Sequence, residues 1–137
     1  VAVTGVQTCA LPIWAEASDP SPEHTALRET FEEVGLPAEC VETIGRLGHY
    51  VSRNGHGITP VVGLVKPPFD LQQNHDEVAE IFEAPLAFLL DPTNHLRHSQ
   101  QSDGRLRYYY AIQYGDYYIR GVTAGLLVNF YRHVVGA

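Results

Sequence analysis

The stretch "DPSPEHTALRETFEEVGLP", Asp19 to Pro37, writes both ends of one helix into the chain. Ser21 suits the cap, where a side-chain oxygen takes a first-turn N–H; Pro22 suits the first helical position, and Glu23 sits where the helix dipole favours an anion. Gly35 stops the helix because glycine tolerates a left-handed closing residue, and Pro37 cannot continue the ladder. The signals predict a helix over residues 22–34. At about 100° per residue, Leu27, Phe31 and Val34 fall within about 60° of one another, so this apolar stripe is expected to face the core. Measured from Leu27, Glu29, Glu32 and Glu33 lie at about 200°, 140° and 240° and share the opposite face. Thr25 and Ala26 lie on that side one turn earlier, small enough to leave space for a ligand.

Three carboxylates so close repel one another. At about 6 Å and an effective dielectric near 20, each pair costs roughly 3 kcal/mol before screening. Hydration of an exposed acidic face relieves this several-fold. A hard divalent cation relieves it too, since Mg²⁺ and Mn²⁺ take oxygen ligands and keep waters or substrate phosphates as the rest of their shell. Arg28, four residues before Glu32, is placed to pair with it. On the helix alone, both a solvated acidic face and a metal-phosphate site stay open.

The remainder of the sequence narrows the partners. A chain of 137 residues fits one domain with a single core. It is 45% hydrophobic but has no apolar run near the roughly 18 residues that span a bilayer, which sets membrane insertion aside. Net charge is −7, and the basic residues comprise Lys66 and scattered arginines, so no phosphate-tracking surface for nucleic acid is expected. An acidic protein still binds phosphorylated small molecules when a divalent cation lies between them. Cys9 and Cys40 have no metal-ligand spacing; Cys40 is expected to be a small buried apolar residue, and a reducing compartment follows. The C-terminal "HVVGA" carries neither a lipidation motif nor a peroxisomal tripeptide, which leaves the cytoplasm as the expected location.

Downstream of the helix, "VETIGRLGHYVSRNGHGITPVVGLV" gives two β-rich runs around Asn54-Gly55, a predicted hairpin. "KPPFDLQQNH" is a loop, "EVAEIFE" a predicted strand and "APLAFLLDP" a short helix closed by Asp91-Pro92. "GRLRYYYAIQY" and "DYYIRG" form a second hairpin around Gly115-Asp116. "TAGLLVNFYRHVV" repeats Leu126, Leu127, Phe130, Tyr131 and Val134 at helical spacing. Helices at both ends with strands between predict a mixed sheet covered on two faces.

The segment "RETFEEVGL", Arg28 to Leu36, resembles the core of the Nudix box, although Thr30 stands at a usually more apolar position. The resemblance implies a metal-dependent hydrolase of nucleoside diphosphates linked to another moiety. It implies that Glu29 and Glu33 are metal ligands for Mg²⁺ or Mn²⁺, that Glu32 is a ligand or orients water, and that Arg28 holds the glutamates in position. "GHYVSRNGHGITPVVGLV", "DEVAEIFEAPLAFLLDPTNH" and "YYIRGVTAGLLVNFY" extend the similarity to the branch that hydrolyses coenzyme A. That branch implies cleavage of coenzyme A or acyl-CoA to 3′,5′-ADP and 4′-phosphopantetheine or its acyl derivative, on an α/β/α Nudix sandwich with a mixed β-sheet. Two alternatives stay open: a Nudix hydrolase of ADP-ribose or a dinucleotide, and a nucleotide-binding Nudix domain without turnover. A homodimer is also open.

Other residues offer second roles. Glu77 and Glu80 are candidate extra ligands or a solvated strand end. His24 is a phosphate contact or a partly buried polar residue. Tyr108, Tyr109, Tyr110, Tyr114, Tyr117 and Tyr118 offer an adenine platform or ordinary sheet packing. "GVTAG", Gly121 to Gly125, is a helix start that offers a phosphate contact or, more simply, Thr123 as an ordinary cap.

The opening residues stand apart. Val3 to Ile13 resemble the codon-by-codon translation of a sequencing-library adapter, so residues 1–18 are expected to be non-native and residues 19–137 to form a partial Nudix domain. Trp14, after Ile13, stands where the full box begins with glycine. Pro20 occupies the place of its outlying acidic residue; Asp19 is the nearest candidate and Glu16 the next. Weak or absent activity of this chain is the expectation that follows.

Overall fold

The computed structural model describes residues 2–3, 6–7, 17–67, 69–76, 78 and 80–136. Cys9, Ile13, Trp14, Glu16 and Glu77 lie outside the described residues. The chain divides into two compact units, Val1–Ala84 and Pro85–Ala137.

In the first unit, helix α1 spans Pro22–Val34, as its end signals predict. The Ser21 hydroxyl accepts the His24 backbone N–H at 3.2 Å. Gly35, at φ 70°, closes the helix by donating its N–H to the Phe31 carbonyl at 2.9 Å. The strands are β1 (Ala2–Val3), β2 (Val6–Gln7), β3 (Val41–Arg46), β4 (Tyr50–Val51), β5 (Gly57–Ile58), β6 (Val61–Val65) and β7 (Glu83–Ala84). One sheet runs β3-β6-β2-β1-β7; its pairs are antiparallel except β1 with β7, which makes it the expected mixed sheet. The predicted hairpin holds: β3 pairs with β6 from Val41↔Val65 to Arg46↔Val61, and β4 pairs with β5 nearer the Asn54-Gly55 turn.

Two expectations for this unit fail. Of the strand expected over residues 77–83, residues 78 and 80–82 are not strand, and the pairing is confined to Glu83–Ala84 among the described residues. Val78 spends its hydrogen bonds on the preceding loop instead: its N–H goes to the Asn74 carbonyl at 2.8 Å, and its carbonyl accepts Gln73 Nε2 at 2.6 Å. The second failure is the face that α1 buries. Phe31 is 57% exposed, whereas Thr25, Thr30 and Glu33 are buried. The threonines tolerate burial because each hydroxyl bonds a carbonyl four residues back, Thr25 to Ser21 at 3.2 Å and Thr30 to Ala26 at 2.7 Å. With their polar groups satisfied, they present small methyl-bearing surfaces inward. The space expected above Thr25 is therefore filled by the fold.

The second unit contains α2 (Leu86–Leu89), a 3-10 turn (Pro92–Asn94), β8 (Leu96–Ser102), β9 (Arg105–Tyr114), β10 (Tyr117–Arg120) and α3 (Val122–Val135). Asp91 starts the 3-10 turn, accepting the Thr93 hydroxyl at 2.7 Å and N–H at 2.9 Å, and these bonds hold its carboxyl below the usual carboxylate range. The predicted hairpin joins β9 to β10 with Tyr114 opposite Tyr117. Strand β8 is an addition to the expected elements. It pairs along its whole length with β9 across Asp103-Gly104, both with positive φ. "LRHSQQS" lacks apolar alternation, so the Asp-Gly dipeptide was its one sequence signal. Residues 124–128 of α3 are all buried, while Val134 is 58% exposed. Gly121, not Thr123, occupies the cap position of α3.

Tyr108 and Tyr118 are exposed, and Tyr108, Tyr109, Tyr110 and Tyr114 have partners within this unit. Arg97 lies 4.1 Å above the Tyr108 ring, Arg132 donates to the Tyr110 hydroxyl at 3.0 Å, Tyr114 meets Phe88 edge-on, and Tyr109 lies beside His98.

Candidate active site

Helix α1 organises the site around Arg28. Helical side chains lean toward the N-terminus, which carries the Arg28 guanidinium back over the first turns. There Nε donates to Asp19 Oδ1 at 3.1 Å and Nη2 to Asp19 Oδ2 at 2.9 Å, a two-bond fork. Nη1 turns the other way and donates to Glu29 Oε1 at 3.1 Å and to the Glu32 carboxylate at 3.1 and 3.2 Å. The expected Arg28–Glu32 pair is present, and one guanidinium holds three carboxylates. Part of the repulsion within the acidic cluster is thus offset inside the protein.

The three glutamates differ in surroundings. Glu33 is 6% exposed, Glu29 has 19% of its side chain exposed and Glu32 has 48%. Glu33 is thus the most enclosed of the three, and Glu29, held by Arg28, is more enclosed than Glu32. Among the described residues, no three His, Cys, Asp or Glu side chains converge as a ready metal cluster.

Asp19 has almost no exposed side chain, and His24 Nδ1 lies 3.1 Å from its Oδ1. His24 is exposed and reaches Asp19 rather than an open anion site. The sequence singled out Asp19 only as an outlying acid; the Arg28 fork was legible only in its position just before the helix cap. Glu80 is exposed.

At the other end of α1, the packing of the following loop onto the helix carried no sequence signal. Residues 69–76 wrap its last turn, Gln72 N–H donating to the Val34 carbonyl at 2.7 Å and Asn74 N–H to the Glu33 carbonyl at 2.8 Å. These loop amides satisfy helix carbonyls that lack intrahelical donors. A cleft of about 760 Å³ opens beside this turn, with Phe31, Glu32, Cys40, Phe69 and Gln72 in its walls. Cys40 is half-buried there rather than in the core.

Comparison with protein-family profiles matches residues 15–103 to the NUDIX domain. The chain belongs to the Nudix hydrolase family. The Nudix match crosses the division between the two compact units, and the mixture of helices and small sheets is the α/β Nudix fold. Among curated proteins, the chain is 38% identical over 122 residues to an uncharacterized Nudix hydrolase NudL of Photorhabdus laumondii, covering 88% of this chain and 64% of that protein. It is 36% identical over 112 residues to a NudL of Enterobacter, covering 82% and 58%. It is 39% identical over 110 residues to the mouse peroxisomal coenzyme A diphosphatase NUDT7, covering 76% and 47%. The chain therefore spans about half to two thirds of the length of these Nudix relatives. Among the described residues, no helix is long and apolar enough to cross a membrane.

Proposed function

We propose that this Nudix domain serves metal-dependent hydrolysis of the diphosphate in coenzyme A or acyl-CoA, giving 3′,5′-ADP and 4′-phosphopantetheine or its acyl derivative. The observation that supports this most is the arrangement of Glu29 and Glu33 on the inward face of α1, with Arg28 bracing Glu29 and Glu32. The similarity to a protein named as a coenzyme A diphosphatase supports the choice of substrate.

The donors suit Mg²⁺ or Mn²⁺ because they are carboxylate oxygens, and such ions keep waters or substrate oxygens in the rest of their shell. Glu29 and Glu33 would hold the ion. When bound, it neutralises charge on the diphosphate oxygens and stabilises the charge that develops as the bridge breaks. Arg28 keeps Glu29 and Glu32 in place. Glu32, the most exposed of the three, orients the attacking water or accepts its proton as the oxygen bonds to phosphorus and the bridging P–O bond breaks. The expected site of action is the cytoplasm.

The test is product identification after incubating the protein with coenzyme A and Mg²⁺ or Mn²⁺. Release of 3′,5′-ADP is the expected result. Turnover of ADP-ribose to AMP with coenzyme A untouched would assign the domain to a different Nudix substrate, and binding of either without turnover would make it a nucleotide-binding module.

A further inference from the structure

The cleft beside the last turn of α1 is adjacent to the carboxylate cluster but has a different chemistry. Glu32 belongs to both, since it lines the cleft and is held by Arg28. Among the described lining residues there is no lysine, arginine or histidine; the charges present are the carboxylates of Glu32 and Asp70. The lining therefore offers no cationic side chain to hold a phosphate group. The other lining residues include the aromatic Phe31 and Phe69 and the amide-bearing Gln72, Gln73 and Asn74. Phe31 is more than half exposed although it sits on a helix whose other face is buried, and Phe69 lines the same cleft.

The wall is also preformed. Gln72 and Asn74 are tied to α1 by their backbone bonds to Val34 and Glu33. A side chain at Gly35 would meet Gln72 Cβ at 2.9 Å, so loop and helix are in direct contact. The Asn74 side chain accepts the Asp76 N–H at 3.1 Å, which fixes the turn that follows. The volume falls in the range of small-molecule sites.

We infer that this cleft receives an uncharged, extended, amide-bearing ligand, and that in the coenzyme A reaction it takes the pantetheine arm. The inference rests on the coenzyme A reading above. The diphosphate belongs at Glu29 and Glu33 with the cation; of the two groups it joins, only the pantetheine side lacks phosphate. Its gem-dimethyl and methylene groups suit the two phenylalanines, and its two amides suit the glutamine and asparagine side chains.

Cys40 lines the cleft and supplies a readout independent of turnover. The 137-residue chain would be alkylated with iodoacetamide without metal, and modification at Cys40 followed by peptide mass spectrometry. S-methylpantetheine, whose capped thiol cannot exchange with cysteine, is expected to slow modification about tenfold at ten times its Kd. 3′,5′-ADP and inorganic phosphate at the same concentration should leave the rate unchanged. Phe31→Ala should abolish the protection, and Phe69→Ala should weaken it, with far-UV circular dichroism confirming that each variant is folded. Absence of protection at millimolar S-methylpantetheine, or equal protection by 3′,5′-ADP, overturns the inference. The two readings fail separately. Protection without coenzyme A cleavage leaves the cleft as an amide-ligand site and removes the activity, whereas cleavage without protection removes the cleft's role and keeps the activity.

Discussion

Both carboxylate oxygens of Asp19 face the guanidinium of Arg28, at 3.1 Å from Nε and 2.9 Å from Nη2, with Asp19 almost fully enclosed. The same guanidinium holds Glu29 and Glu32 through Nη1. Asp19 therefore acts on the glutamates through Arg28, as a positioning residue two places before the helix cap.

Replacing Asp19 with asparagine should break the fork while keeping its shape. Arg28 would lose its most enclosed partner, and the expected loss of stability is about 2–4 kcal/mol, since half-breaking an enclosed ion pair leaves the other charge uncompensated. Urea denaturation measures it. If Asp19→Asn proved as stable as the parent, the fork would carry no weight in fixing α1.

Glu33→Gln should remove the ion-binding charge while leaving the volume of the buried side chain almost unchanged. Affinity for Mn²⁺, followed by titration calorimetry on the protein, is expected to drop by at least the roughly 10–100-fold typical of disturbing groups around a metal. Coenzyme A hydrolysis should fall with it. Equal affinity in the variant would remove Glu33 from the ligand set.

Gly35→Ala tests the contact between α1 and its wrapping loop. The left-handed backbone costs alanine about 1–2 kcal/mol. The added Cβ would also lie 2.9 Å from Gln72 Cβ and 3.0 Å from Gln72 N, forcing the loop outward. A total loss near 3 kcal/mol is expected, because overpacking of this kind adds roughly 1–3 kcal/mol. Hydrogen exchange should quicken first at the Gln72 and Asn74 amides.

The paired Arg46 side chain gives the fold an acid-sensitive contact. Its guanidinium binds the Glu23 carboxylate, Nη2 to Oε2 at 2.8 Å, tying the first turn of α1 to β3. This bond is the main reason that the Glu23 pKa drops from 4.5 to about 2. A folded-state pKa below the unfolded one means that the contribution is complete above about pH 5 and is lost as pH falls toward 2. Both side chains are substantially exposed, so salt should weaken the effect. Thermal melts of Arg46→Gln should show less destabilisation than the parent over that interval, and the difference should shrink in 1 M NaCl.

The ends of α1 were legible because capping is local: Ser21, Pro22 and Gly35 need only their near neighbours to act. Nearness of the three glutamates and the Arg28–Glu32 pair follow from helical spacing alone, and the nine residues from Arg28 to Leu36 carried the family. The hairpins at Asn54-Gly55 and Gly115-Asp116 were legible for the same local reason. Tertiary structure decided which face of α1 turns inward. Periodicity weighs threonine as polar and phenylalanine as apolar, yet Thr25 and Thr30 satisfy their hydroxyls within the helix and go in, while Phe31 stays out beside the cleft. It also decided the partners of Asp19, the loop that caps α1 and the existence of β8, because each depends on residues brought together from outside their own element, where sequence spacing sets no distance.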